Sequence, residues 1–242
     1  MITPKQIEEA TMFPEKRAMA HNDYFAFYVG RPLSYILTIP FLYTKITPNQ
    51  VTILSILPLL IGFVLMYKGD TTFTYCIGWL FFFFWNLLDG VDGNIARYKK
   101  QFSKMGSVYD AMVGYIAMVF SPFAWGIAAA HNPGWCQTIV QLPLDLYIIL
   151  GALSGIFVIF PRFIMHKAMT TLNDGNTFGV KDKSNFSLSK TIALNITSCT
   201  GFMQVLMLLC IPFVAYDIFT IAYFLINGAV MIASLKSIFS NA

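Results

Sequence analysis

The sequence has little charge. Only 12% of its 242 residues are Asp, Glu, Lys or Arg, about half the share of an average soluble domain, while 57% are hydrophobic. A soluble fold of this length would need more polar residues to coat its core, which excludes that class. The four cysteines, Cys76, Cys136, Cys199 and Cys210, lie far apart with no CxxC pair, which argues against a structural disulfide or a thiolate metal site. No internal repeat or low-complexity tract is visible, nothing marks a second domain, and nothing points to nucleic acid. The N-terminal stretch is polar and mixed in charge rather than a cleavable signal, so internal helices are expected to drive membrane insertion.

Long apolar runs are what the chain does have. They predict an all-α integral membrane protein with spans at about 49–67, 73–98, 105–128, 143–168, 188–213 and 216–238. The turns at Lys68–Thr71, Asn132–Gly134 and Tyr216–Asp217 then face one side. Of the 16 Lys and Arg, only Lys68 falls on that side, so the opposite side, which carries both termini, is expected to be cytoplasmic. Residues 3–22 are expected as an amphipathic surface helix with Lys16 and Arg17 on wet faces. Residues 24–45 carry Arg31, Pro32 and Pro40 among apolar residues and are read as a helix lying in the interface. The whole is one membrane domain, with an interfacial segment at 1–46 and a six-helix core at 47–238. Thr47 and Pro48 form a start signal for the first span, and Ser187 for the fifth. Trp125 and Trp135 suit an aromatic belt. Gly151, Ser154 and Gly155 permit close helix contact inside the subunit or in a dimer.

The chemistry concentrates in two stretches, Asp89–Arg97 and Gly106–Asp110. On a helix, Asp89, Asp92, Gly93 and Ala96 fall within a sector about 100° wide. If that helix meets the interface near Arg97, Asp89 lies about 12 Å below it. An ionised carboxylate there costs about 2.5–3.5 kcal/mol on insertion scales, so a polar cavity is required. An antiparallel hairpin brings Asp110 back beside Asp92 and Asp89. Three carboxylates around one pocket suit a hard cation, Mg²⁺ or Mn²⁺, and the glycines allow phosphates to approach the backbone. The plainer alternative is that the aspartates pair with Arg97, Lys99, Lys100 or Lys104. An ion carrier is a further alternative, but no chain of carboxylates crosses the bilayer.

These residues resemble the signature of the CDP-alcohol phosphotransferases, Asp-x-x-Asp-Gly-x-x-Ala-Arg, eight residues, then Gly-x-x-x-Asp-x-x-x-Asp. Asp89, Asp92, Gly93, Ala96, Arg97, Gly106 and Asp110 match it in register. Pro48-Asn49-x-x-Thr52 is similar to the opening of the family's first membrane helix. The resemblance implies transfer of a substituted phosphoryl group from a CDP-linked donor to a lipid, polyprenyl-phosphate or alcohol acceptor, with release of CMP, in phospholipid or envelope glycolipid synthesis. It implies Asp89, Asp92 and Asp110 as catalytic metal ligands. Asn49, Thr52, Gly93, Ala96, Arg97, Gly106 and Ser107 would line the nucleotide, and a homodimer is implied as well.

The last aspartate of the pattern is Gly114 here, where the family is taken to hold its general base. Three readings stay open: an acceptor phosphate that needs no base, a substitute base, or a nucleotide-binding relative that has lost catalysis. His166, Asp174 and Asp182 are the candidate bases. Arg162, Lys167 and Lys190 are candidates to hold an acceptor phosphate.

Overall fold

A computed structural model describes residues 2–172 and 187–240, and these are helical without a strand. The expected N-terminal surface helix is two short ones, α1 (Pro4–Thr11) and α2 (Pro14–His21). The break falls where a proline follows: Phe13 is extended ahead of Pro14, as the residue before a proline prefers. A π-helical turn at Ala26–Gly30 leads directly into α3 (Arg31–Leu42).

α4 (Pro48–Leu54) and α5 (Ile56–Lys68) follow one another around Ser55. Thr47 caps α4 as expected, its hydroxyl accepting from Gln50 N while the Gln50 side chain accepts from Thr47 N. Next come α6 (Thr72–Tyr98), α7 (Gly106–His131), the short α8 (Trp135–Val140) and α9 (Leu144–Leu172). The described chain closes with α10 (Leu188–Thr197), α11 (Met203–Cys210) and α12 (Tyr216–Ser240).

Among the described residues five helical stretches are long and apolar enough to cross a membrane: Pro48–Lys68, α6, α7, α9 and α12. The run expected as a single fifth span is α10 and α11, with an irregular stretch at 198–202 between them. Apolar composition continues through the break, but Ser198, Thr200 and Gly201 favour local alternatives to the helix. The carbonyls freed there find partners: Gln204 Nε2 donates to Cys199 O (2.9 Å) and Asn86 Nδ2 to Thr200 O (3.0 Å).

Contacts divide the chain into two compact units. The first takes the N-terminal segment up to Val64, Ile77–Ala117 and the stretch ending at Leu206. The second takes Leu65–Cys76, the stretch from Met118, and that from Met207.

In the second unit small residues let helices touch. A side chain added at Gly126 would meet Tyr147 O and the Gly151 backbone, and one at Gly155 would meet the Val119 backbone. Gly151 and Gly155 therefore serve α7–α9 contact within the subunit. Ser154 accepts a hydrogen bond from Asn227 Nδ2 (2.9 Å), tying α9 to α12. Trp135 is exposed, but Trp125 is fully buried, its ring 6.0 Å from that of Phe219; it is a core residue, and the belt expectation fails for it. None of the four cysteines is in a disulfide.

In the first unit α3 lies against α6. Ser34 and Thr38 accept from Asn94 Nδ2 (3.2 and 3.1 Å), and a Cβ on Gly90 would stand 2.8 Å from Ser34 Cβ. Val51, Leu88, Val91 and Ile95 form the buried apolar patch beneath this contact. The linker before α3 is tied to the end of α10, where Tyr24 N donates to Asn195 Oδ1 (2.9 Å) and Ser198 Oγ to Asp23 Oδ2 (2.7 Å).

Candidate functional site

The helix hairpin α6–α7 forms because α6 has a definite stop. Lys100 adopts a left-handed conformation (φ 54°), Gln101 N donates to Ala96 O (2.8 Å) and Lys100 N to Arg97 O (3.3 Å). This is the Schellman arrangement, with lysine where glycine is usual. It turns the chain back so that Gly106 can start α7, and it leaves Asp89, Asp92 and Asp110 on the wall of one cavity of about 490 Å³. That volume suits a nucleotide-sized ligand.

Every described lining residue belongs to the first unit. Asn49, Thr52, Gly93, Ala96, Arg97, Gly106 and Ser107, all singled out from the sequence, line it too. Thr52 donates its hydroxyl to Asp92 Oδ2, so α4 positions a carboxylate of α6. The same hydroxyl lies 3.1 Å from Pro48 O, but its single proton serves one acceptor, and the carboxylate is nearer. Asn49 Nδ2 donates to Ser103 Oγ (2.9 Å) and joins α4 to the turn before Gly106. The opening of the first span thus holds both halves of the carboxylate hairpin.

Arg97 folds back over Gly93. A Cβ there would stand 2.7 Å from Arg97 Nη2, so the missing side chain makes room for the guanidinium. Among the described residues no ion pair neutralises the aspartates. Among the described residues the one ion pair is Arg17 with Glu8, away from the cavity wall. Arg97 interacts with Asp92 and Asp110 at longer range.

The donors are all oxygens, the set a hard divalent cation takes, and in that respect the residues fit one. They are not already gathered around a point: among the described residues no three Asp, Glu, His or Cys side chains stand close enough to enclose an ion.

Gly114 lies one turn beyond Asp110 on α7, and a Cβ built on it meets nothing within 4 Å. Arg162, His166 and Lys167 on α9 belong to the second unit, Lys190 is on α10, and none of the four lines the cavity. Asp174 and Asp182 lie outside the described residues. Sequence reasoning missed Lys16 and Arg31, which do line it. An arginine inside an aromatic-rich apolar run was the available signal.

The fold and this wall define an all-helical membrane protein whose first unit holds a cavity of mixed charge. The chain belongs to the CDP-alcohol phosphatidyltransferase family, whose model matches residues 45–235. It is 26% identical over 136 residues to a bifunctional IPC transferase and DIPP synthase of Aquifex aeolicus (strain VF5). The matched part is 55% of this chain but 30% of that relative, so the chain spans under a third of the relative's length.

Proposed function

We propose that the protein is a membrane phosphotransferase that moves a substituted phosphoryl group from a CDP-linked donor to a lipid-accessible acceptor. The observation that carries this is the convergence of Asp89, Asp92 and Asp110 with the Asn49–Thr52 segment on one cavity wall, in a chain of this family. The acceptor oxygen bonds to the phosphorus that carries the substituent. The bond from that phosphorus to the bridging oxygen breaks, and CMP leaves with the electron pair.

Asp89, Asp92 and Asp110 would hold Mg²⁺ or Mn²⁺, which when bound supplies neutralisation of the diphosphate and of the leaving phosphate. Thr52 orients Asp92. Gly93, Ala96, Gly106 and Ser107 give the nucleotide close approach to the backbone, and Arg97 offers its guanidinium to a phosphate.

With Gly114 at the base position, an alcohol acceptor lacks its usual proton acceptor. An acceptor phosphate, such as that of a polyprenyl phosphate, is already ionised and needs none. His166 as a substitute base, and Arg162, Lys167 and Lys190 as acceptor-side cations, remain part of this reading. So does a sixth crossing made by α10 and α11 together. The cavity end and both termini would face the cytoplasm at the inner membrane, and the working state would be a homodimer.

The second reading is a relative that binds nucleotide without turnover, favoured by Gly114 standing where the signature has its last aspartate. The deciding experiment is isotope-detected CMP release by the purified protein with Mg²⁺, offered an alcohol panel and a polyprenyl phosphate. Release that Asp110→Asn abolishes is the expected result. CDP binding without release from any acceptor would establish the second reading instead.

A further inference from the structure

The cavity holds cations beyond the Arg97 already assigned to the donor. Lys16 on α2, Arg31 at the start of α3 and Arg97 at the end of α6 all line it. Their charges act on one another: Lys16 is opposed by Arg97 and Arg31, and Arg97 by Arg31. Among the described residues the charges acting most on Lys16 are those two guanidiniums.

Among the described residues, Nε of Arg31 and Nε of Arg97 are buried without a hydrogen-bond partner, although the Arg31 guanidinium also hydrogen-bonds Tyr35. Lys16 Nζ reaches a backbone oxygen, Thr11 O, at 3.4 Å. Like charges held together with unused donors store repulsion that an anion relieves.

The scaffold holds the cluster in place. The π-helical turn at Ala26–Gly30 runs straight into Arg31, whose N–H bonds back to Ala26 O across it. Ser34 Oγ donates to Arg31 O (2.8 Å), and the docking of Ser34 on Asn94 and Gly90 fixes that turn against α6. Lys16 and Arg31 precede the family-matched residues 45–235, so two of the three cations belong to a segment outside the family core.

We propose that Lys16 and Arg31, beside the donor-side Arg97, form a subsite for the phosphate monoester of the acceptor in the cavity that Asp89, Asp92 and Asp110 line. This rests on the transferase reading and narrows it: the acceptor arrives as an anion, seated by its phosphate with an oxygen free to attack. Burial and the neighbouring guanidiniums lower the Lys16 pKa to about 7, as expected of an ammonium waiting for a counter-charge.

The test is equilibrium binding by the full-length protein in neutral phosphatidylcholine nanodiscs, which needs no turnover. Probes are farnesyl phosphate, farnesol, and CDP with Mg²⁺. Wild type should bind farnesyl phosphate well ahead of farnesol. Lys16→Gln and Arg31→Gln should each weaken farnesyl phosphate by about tenfold and leave CDP nearly unchanged, with Lys16→Arg and Arg31→Lys largely restoring it. Melting temperatures near wild type would show that the variants fold.

Four results would overturn the proposal. CDP weakened as much as farnesyl phosphate would give the cluster to the donor. Displacement of farnesyl phosphate by added phosphatidylglycerol would give it to a lipid headgroup. Loss only in Arg162→Gln, Lys167→Gln or Lys190→Gln would give the phosphate to those cations. No preference for farnesyl phosphate over farnesol would leave the cluster without this ligand. Absence of CMP release would sink the transferase reading while leaving the binding result standing.

Discussion

Thr52 on α4 donates its hydroxyl proton to the Asp92 carboxylate on α6, across forty residues of sequence. The bond joins the family's short opening segment to its acidic signature and fixes one carboxylate oxygen. Thr52→Val keeps the side-chain shape and removes the donor. It should cost about 1–3 kcal/mol, because the carboxylate loses a charge-assisted partner in a buried site. On the proposed function, CMP release should fall by roughly ten- to a hundredfold, since the carboxylate proposed to hold the metal loses its orientation. Thermal melting and single-turnover assays check the two parts separately.

Gly114 offers a gain-of-function test. Nothing stands within 4 Å of a Cβ at this position, so Gly114→Asp should fold with a melting temperature close to wild type. It restores a carboxylate one helical turn from Asp110. CMP release with alcohol acceptors should rise, within the roughly 10²–10⁴-fold that a general base contributes. With a phosphate acceptor it should fall, because the new charge repels the anion. An alcohol rate unmoved by the substitution would place the base elsewhere.

Much of this arrangement was legible in the sequence. The spacing of Asp89, Asp92, Gly106 and Asp110 survives into three dimensions because a helix hairpin preserves residue spacing. Thr47, Pro48 and Gln50 form the expected cap because capping is a local matter. What escaped was tertiary. Lys16 sits on a short polar helix and reads as solvated. It lines the cavity all the same, beside Arg31 of the α3 that docks through Ser34 and Thr38 on Asn94, contacts that no periodicity announces. The break at 198–202 hides inside continuous apolar composition, and Trp125 shows that an aromatic near a helix end can serve the core as well as the interface.

Lys16 gives the site a dependence on pH. Its pKa is lowered from 10.5 to about 7 by burial, then by Arg97 and Arg31. Below that value it is charged, and above it the cluster loses a cation. A phosphate monoester is already doubly ionised there, its second pKa being about 6. Affinity for farnesyl phosphate should therefore fall as pH rises from 7 to 9, with proton uptake on binding, and Lys16→Arg should flatten the profile. The stability effect has a definite sign. Between about 7 and 10.5 the unfolded chain keeps a proton that the folded chain has released, so this group makes wild type more stable with rising pH. Lys16→Gln should lack that slope in melting experiments.

Gly90 tests the seating of the N-terminal segment. A Cβ there would lie 2.8 Å from Ser34 Cβ, at a packed helix contact. Gly90→Leu should push α3 off α6 at a cost of about 1–3 kcal/mol. Farnesyl phosphate binding should weaken more than CDP binding, because Arg31 moves with α3 while Asn49 and Thr52 stay. Equal losses for both ligands would show that the whole wall had shifted.

The π-helical turn at Ala26–Gly30 makes the number of residues in this linker matter as much as their identity. An α-helix advances about 100° per residue, so removing one residue from the turn amounts to a rotation. With α3 clamped on α6, the chain before the turn would have to absorb it. A substitution at Val29, which is exposed, changes a surface, whereas a single deletion there should turn Lys16 away from Arg31. The segment works as a phase setting, and variants that alter its length should part the two cations while every side chain in the signature stays in place.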